Sequence, residues 1–504
     1  MLRSAVPLVA LFLIAPAAEA QNLPQWKHAA DFASQQLQKT AASIPVNETP
    51  QATDKSGQWG LVANTNLPGW TQGFFPGCLW YRYEETGDVA WRDLATKWTD
   101  ALAVQETNTT THDLGFKLFP SFGHGYELTA EDAWHQAVLT GATSLATRYR
   151  ANPGIISMGD WNPAWKMPIV IDTMMNLELL VWAARNGGDP AWEDMAISHA
   201  TITLRDLVRA DGSTYGAADY DPTTGQLRWL GTLQGSSNTS TWARGQTWAM
   251  YGFARMYQYT GRPEFLDASR RTTALFLSRL PADSIPPWDF DSPDQQKDSS
   301  SAAIAAAALL ELAAVETDAT AAAQDRAFAI KLLDILSGPD YLAEGTNSQG
   351  VLLHGVGNYL ENLGVNASLI YGDYYFLEAL LRAQYPGLTT DAGTVKVPNG
   401  PLVPPATPDA GTPPPSGSPT PTPTEPSPTP TTGSTQSPAL KKPSAAAESP
   451  TGCASSGMPA SLIGLMFAFR SRRRRSTLLY VRRLVMRVAV GLRTTRTRTT
   501  APHR

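Results

Sequence analysis

The stretch Pro168-Ile-Val-Ile-Asp172-Thr-Met-Met-Asn-Leu-Glu-Leu-Leu-Val-Trp182 places one aspartate at the head of an otherwise apolar run. Met175, Leu179 and Trp182 recur at spacings of four and three, the stripe of a helix buried on one side. Asp172 has two readings there. As a helix cap it would bond the backbone of its own first turn, a common use of aspartate. As an acid walled by Ile, Met and Trp it would be desolvated. Its pKa would then rise until it holds a proton near neutrality.

Helical patterns extend outward from this run over nearly all of residues 21–387. The reading gives amphipathic helices over 26–44, 74–85, 89–104, 130–150, 173–185, 191–209, 239–259, 263–280, 300–314, 321–336 and 369–383. Short breaks such as Thr86-Gly87-Asp88 and Thr260-Gly261-Arg262 separate partners, as in helix hairpins. The strongest strand signal is 213–229, where Asp221-Pro-Thr-Thr-Gly225 suits a hairpin turn. About a dozen paired helices with no solenoid period predict an all-α closed double ring, with its loops around one concave mouth.

The flanks differ from this body. Met1–Ala20 reads as a signal peptide: Arg3, an apolar core over 6–14, then Ala18-Glu-Ala20. Residues 388–450 are rich in Pro, Thr and Ser and predict a disordered linker. In 451–475 come Cys453 among small residues, an apolar segment over 462–469 and Arg472–Arg475. This segment resembles the C-terminal sorting tags of myxobacterial surface proteins and implies membrane or cell-surface attachment. Residues 476–504 form a basic tail without an assigned role.

The 504 residues carry a net charge of −5, but twelve arginines and no acid lie in 470–504. Without them the chain has 28 basic against 45 acidic residues, which argues against nucleic acid as a partner. Cys78 and Cys453 lie far apart in unlike segments, so no structural disulfide is expected. The histidines are scattered and no phosphate-cradling glycine loop occurs, so neither a metal nor a cofactor is expected.

Chemistry concentrates in a few motifs. Thr111-His112-Asp113-Leu-Gly-Phe116 offers a second aspartate with a flanking histidine, or simply a helix start. Trp70 stands among glycines and aromatics before the helix at 74. Gln234 precedes Trp242-Ala-Arg244-Gly-Gln-Thr-Trp248, where an arginine fork lies between two indoles. Indole faces stack on sugar rings and Arg pairs with carboxylates, although a salt bridge to a neighbouring acid would equally explain Arg244. Two aspartates in such a setting, without a cofactor, point to hydrolysis of an acidic carbohydrate.

These motifs, with Ile171-Asp-Thr-Met-Met-Asn-Leu177, Arg209-Ala-Asp-Gly-Ser-Thr-Tyr215, Trp288-Asp-Phe-Asp291, Asp298-Ser-Ser and Tyr371-Gly-Asp-Tyr-Tyr375, resemble the unsaturated glucuronyl hydrolases of glycoside hydrolase family 88 in order across about 70–380. The resemblance implies an (α/α)6 barrel acting on unsaturated uronyl oligosaccharides left by polysaccharide lyases. It implies that Asp172 protonates the ring double bond and then helps deliver water, with Asp113 as second aspartate. Gln234, Trp242, Arg244, Trp248, Trp70 and His112 would bind substrate. One position departs from the pattern: Gly216 stands where the family usually has a histidine, which leaves another group such as His199 to replace it or the sugar preference to differ. Two competing readings are an unsaturated rhamnogalacturonyl hydrolase acting on pectin fragments and a non-catalytic surface carbohydrate-binding protein. Oligomeric state is not legible in the sequence.

Overall fold

The structure is a computed structural model that describes residues 16–159 and 164–385. Most of the expected leader, the 388–450 linker, the 451–475 tag and the 476–504 tail lie outside the described residues.

The helices are α1 (Pro16–Ser43), α2 (Phe74–Thr86), α3 (Val89–Asp100), α4 (Leu114–Leu118), α5 (His124–Thr129), α6 (Asp132–Ala146), α7 (Leu177–Arg185), α8 (Ala191–Asp206), α9 (Ala243–Thr260), α10 (Pro263–Arg279), α11 (Ser299–Val315), α12 (Ala319–Leu336) and α13 (Ile370–Gln384). A π-helical turn, Phe119–Gly123, joins α4 to α5 into one rung. An inner ring runs α2, α4–α5, α7, α9, α11, α13 and back to α2, and α1, α3, α6, α8, α10 and α12 pack outside it. The chain is thus an (α/α)6 barrel.

Sequence explains which helices face inward. Every residue of α11 from Ser299 to Leu312 is buried, and its alanines let α9 and α13 approach from both sides. In α12 only Ala329, Leu332, Leu333 and Leu336 are buried, a single stripe. Left-handed glycines, Gly87 after α2 and Gly261 after α9, turn the chain from inner to outer helix.

The α4–α5 rung is missing from the sequence reading, which left 111–129 without a helix. Gly115, Pro120, Gly123 and Gly125 break the helical pattern there, and the structure meets Pro120 with the π turn. Four small sheets join the helices. They pair β1 (Glu48–Thr53) with β2 (Trp59–Ala63), β3 (Tyr149–Arg150) with β4 (Ile155–Ile156), β5 (Met167–Val170) with β6 (Ala217–Tyr220) and β7 (Leu227–Gly231), and β8 (Gly355–Asn358) with β9 (Leu363–Ala367). The expected hairpin is β6–β7, turning at Asp221–Gly225 with Gly225 at φ 69°. β3 and β4 have only two residues each, and β1, Glu-Thr-Pro-Gln-Ala-Thr, has no apolar alternation to read.

The inner helices run in parallel, which separates two kinds of chemistry. Their N-terminal ends carry Trp70, Asp113, Asp172, Trp242, Asp298 and Tyr371 at or just before the first turn. The C-terminal halves of α9, α11 and α13, with Glu178 in the first turn of α7, carry a buried ionic network. Arg255 bonds Glu178 and Glu311, and Arg382 bonds Glu311 and Glu378. Cations suit helix C-termini, and pairing offsets the desolvation of the buried charges. A small cavity lined by Phe116, Met175, Arg255, Glu378 and Arg382 borders that network.

Candidate active site

Asp172 lies in a 3-10 turn, Ile171–Met175, between β5 and α7. Its side chain caps neither this turn nor α7. The carboxyl is shielded instead, and Oδ1 is buried with no hydrogen-bond partner among the described residues. Burial pushes its pKa up to about 7, Arg244 pulls it down, and the charge of Asp113 pushes it up again. That displacement from 3.8 corresponds to about 4 kcal/mol favouring the protonated form. Asp172 is therefore built to carry a proton at neutral pH and to lose it readily.

Asp113 stands at the N-terminus of α4, half-buried, and also leaves its helix uncapped. Thr111 Oγ1 donates to its Oδ2 at 2.8 Å, and His112 Nε2 lies 3.3 Å from its Oδ1. His112 Nδ1 meets Thr173 Oγ1 at 2.9 Å. Burial lowers the His112 pKa, so the ring is neutral at pH 7. Both contacts are satisfied if Nε2–H points to Asp113 and Nδ1 accepts from Thr173. Behind them, the missing Cβ of Gly115 would lie 2.5 Å from the Cα of Asn176, and that of Gly252 2.5 Å from the Cβ of Met174. These two glycines let α4 and α9 close on the turn that holds Asp172. Asn176 Oδ1 completes the joint by accepting from Phe116 N–H at 2.9 Å.

The aromatic wall is continuous. Trp70, half-buried, lies 4.7 Å from Tyr371 and 5.6 Å from Phe116, and Phe116 lies 5.2 Å from Trp248. Trp242 is buried and heads α9, with the Arg244 guanidinium 4.6 Å over its ring. Tyr371 has no role legible in the sequence. Its ring, 5.3 Å from the same guanidinium and electrostatically coupled to Asp172, belongs to this wall.

Arg244 is engaged differently from the expectation of an open fork. Its terminal nitrogens donate to the carbonyls of Val356 and Gly357 on β8 and to Gln234 Oε1, and Asp298 lies 3.6 Å away. The salt-bridge reading thus holds in part, and Nε remains buried without a partner among the described residues. Asp298 in turn accepts from Ser300, Ser301 and the N–H of Val356. Arg244 therefore ties the β8–β9 hairpin and Gln234 to the site while its charge faces Asp172.

At Gly216 the direction of a side chain is already filled. A Cβ there would lie 2.6 Å from Thr232 Oγ1, while the Gly216 carbonyl accepts from Ile171 N–H at 3.0 Å. His199 does not replace the missing histidine. It is fully buried on α8, its Nδ1 accepts from Ile156 N–H at 2.9 Å, and burial lowers its pKa to about 3. Among the described residues no group of three His, Cys, Asp or Glu side chains converges to hold a metal ion. Cys78 is a buried free thiol, and Cys453 lies outside the described residues.

Polarisable aromatic faces, an acid holding its proton to about pH 7, a neighbouring carboxylate and six helix N-termini make a hollow suited to an anionic sugar. Comparison with known proteins agrees. The profile of Glycosyl Hydrolase Family 88 matches residues 36–282. The unsaturated glucuronyl hydrolase of Formosa agariphila is 39% identical over 323 residues, 62% of this chain and 80% of that protein. That of Bacillus sp. (strain GL1) is 34% identical over 347 residues, 66% of this chain and 90% of that protein. Among solved structures, an unsaturated glucuronyl hydrolase specific for heparin superposes with a TM-score of 0.69 at 35% identity, covering 74% of this chain and all of that one. The Bacillus sp. GL1 enzyme superposes with a TM-score of 0.66 at 33% identity, covering 72% of this chain and 97% of that one. The chain belongs to glycosyl hydrolase family 88.

Proposed function

We propose that this hydrolase removes the unsaturated uronic acid from the non-reducing end of polysaccharide-lyase products by hydrating the ring double bond. The observation that carries the mechanism is Asp172, an acid near pKa 7 beside the charge of Asp113. Protonated Asp172 gives its proton to the vinyl-ether carbon remote from the ring oxygen. The resulting oxocarbenium ion is stabilised by the carboxylate just formed. That carboxylate takes a proton from water as its oxygen bonds the cationic carbon, which regenerates the acid. The hemiketal opens and releases the leaving sugar. Asp113, held by Thr111 and His112, supports proton retention on Asp172 and contacts the sugar hydroxyls. Trp70 and Trp242 supply ring faces, Trp248, fully buried against Phe116, backs the wall, and Gln234 and Arg244 supply polar contact and positive charge.

Relatives named for chondroitin disaccharides and a neighbour named for heparin support glycosaminoglycan products as the first substrates to try. The test is to incubate the full-length protein with chondroitin-, heparin-, gellan- and pectin-lyase products and follow the ultraviolet absorbance of the double bond. The absorbance falls if the reading is right. A carbohydrate-binding protein would leave it unchanged, and consumption of pectin fragments alone would favour the rhamnogalacturonyl reading.

Export is part of the same proposal. Arg3, the apolar 6–14 segment and Ala18–Ala20 support a cleaved leader, and the 451–475 segment supports cell-surface attachment. Periplasmic, surface-bound and secreted destinations are separated by fractionating the producing cells and sequencing the mature N-terminus. Among the described residues no helix is long and apolar enough to cross a membrane.

A further inference from the structure

Gly216 and Thr232 extend the β6–β7 pair by one step, because Ala217 faces Gly231. Glycine weakens a strand, and in such a place it marks a close approach. Here the approach comes from Thr232. A Cβ on Gly216 would lie 2.6 Å from Thr232 Oγ1, 3.2 Å from its Cβ and 3.3 Å from its Cα. Gly216 is not held at positive φ, so the position requires small volume and not backbone freedom. Its carbonyl accepts from Ile171 N–H at 3.0 Å, one residue before Asp172. The threonine hydroxyl therefore sits where a side chain at 216 would, beside the backbone that leads into the acid.

The same hydroxyl sets the loop that follows. Thr232 Oγ1 accepts from Gly235 N–H at 2.9 Å, which closes a turn around Leu233 and Gln234. Asp289, fully buried, holds the far side of that turn. Ser236 N–H donates to its Oδ2 at 2.8 Å, and Ser236 Oγ donates to its Oδ1 at 3.0 Å. Gly235 is wedged between the two anchors: a Cβ on it would lie 2.9 Å from Thr232 Oγ1 and 3.0 Å from Asp289 Oδ2. Gln234 stands between them as well, and its Oε1 accepts from Arg244. One threonine thus touches the backbone beside Asp172 and fixes the turn that meets Arg244.

We propose that Thr232 is a positioning residue for substrate binding: its hydroxyl fills the space left by Gly216 and fixes the turn that brings Gln234 to Arg244, so that this pair keeps its place relative to Asp172. The proposal rests on the hydration reading above, in which Gln234 and Arg244 hold the acidic sugar.

The test uses the full-length enzyme and whichever lyase product it consumes, and compares kcat and KM across variants. Thr232→Val keeps the branched shape and removes the acceptor, while Thr232→Ser keeps the acceptor. Thr232→Val is expected to raise KM about tenfold and to leave kcat within about threefold, because the grip loosens while Asp172 keeps its surroundings. Thr232→Ser should hold KM within about twofold of wild type, since Gly235 N–H keeps its partner. Gly216→Ala should lower kcat/KM by about tenfold or more, but the same change made in Thr232→Ala should cost no more than about threefold, because the Oγ1 it would strike is gone.

A wild-type KM in Thr232→Val overturns the proposal. So does a loss confined to kcat, or one that Thr232→Ser shares in full, as a merely structural threonine would give. An equal cost of Gly216→Ala in both backgrounds overturns it too. If Thr232→Val does not fold, Thr232→Ala, which also lacks the acceptor, decides in its place. A wild-type protein inactive on every lyase product overturns the hydration reading and this inference with it. An active wild type with an unmoved KM in Thr232→Val overturns only the inference.

Discussion

His112 Nδ1 and Thr173 Oγ1 lie 2.9 Å apart, and this contact ties the loop carrying Asp113 to the turn carrying Asp172. Because His112 also lies 3.3 Å from Asp113, one imidazole spans the two acids. Thr173→Val keeps the shape of the side chain and removes the donor. It leaves a buried ring nitrogen unpaired, at a cost of about 1–3 kcal/mol in stability. The expected result is a kcat reduced about tenfold with little change in KM, since the imidazole itself is kept and only its hold on Asp113 is loosened. Steady-state kinetics with a parallel thermal melt checks both parts.

Asp172→Asn removes the proton donor and keeps the side-chain volume. Turnover is expected to fall by at least about 10³-fold while substrate binding persists, within the range for loss of a general acid. Stability provides a separate check. The folded pKa of Asp172 is raised to about 7, so in the wild type the unfolded chain gives up this proton near 4 and the folded chain holds it to about 7. Folding is therefore penalised progressively as pH rises from 4 to 7, and by a constant amount above. Relative to wild type, the melting temperature of Asp172→Asn should rise across that window and plateau beyond it. A difference that is flat with pH would show that the carboxyl does not titrate where the mechanism needs it.

Asp113→Asn tests the coupling between the acids. The charge of Asp113 is one of the causes that raise Asp172, so removing it leaves burial opposed by Arg244 and a backbone hydrogen bond. Asp172 should then lose its proton at lower pH. The alkaline limb of kcat/KM is expected to move down by about one pH unit, with kcat falling by about 10²-fold as sugar contacts are lost. An alkaline limb left where the wild type has it would mean that the two carboxyls titrate independently.

How far the sequence could be read depended on whether the information was periodic. All eleven expected helices are present, with ends shifted by a few residues except the earlier start of α1, because each had an apolar stripe and a glycine or charged break, as at Gly87 and Gly261. The α4–α5 rung did not, because Gly115 and Pro120 serve close packing and a π turn at the expense of helical pattern. Asp172 stood out as an acid in apolar surroundings and Asp113 as a second aspartate beside a histidine, and both act on one electrostatic neighbourhood with Arg244. The direction of the Arg244 fork was not legible. Its partners, Val356 and Gly357, lie over 110 residues away and bind through backbone carbonyls, which carry no side-chain signature.

Gly115→Ala separates geometry from chemistry. The added methyl would lie 2.5 Å from the Cα of Asn176, a backbone atom that cannot rotate away. α4 and the start of α7 must then move apart by several tenths of an ångström, which overpacking data price at about 1–3 kcal/mol. The displaced elements carry Asp113 at one end and follow directly on the Asp172 turn at the other. The expected phenotype is a folded protein with a melting temperature lower by several degrees and kcat reduced about 10²-fold, although no chemical group has been lost. The Asn176 Oδ1 bond to Phe116 N–H should weaken with the same movement, so amide exchange at Phe116 should accelerate. Wild-type kcat in a stable Gly115→Ala enzyme would show that the spacing of the two acids tolerates such a shift, contrary to a mechanism in which one carboxyl tunes the other.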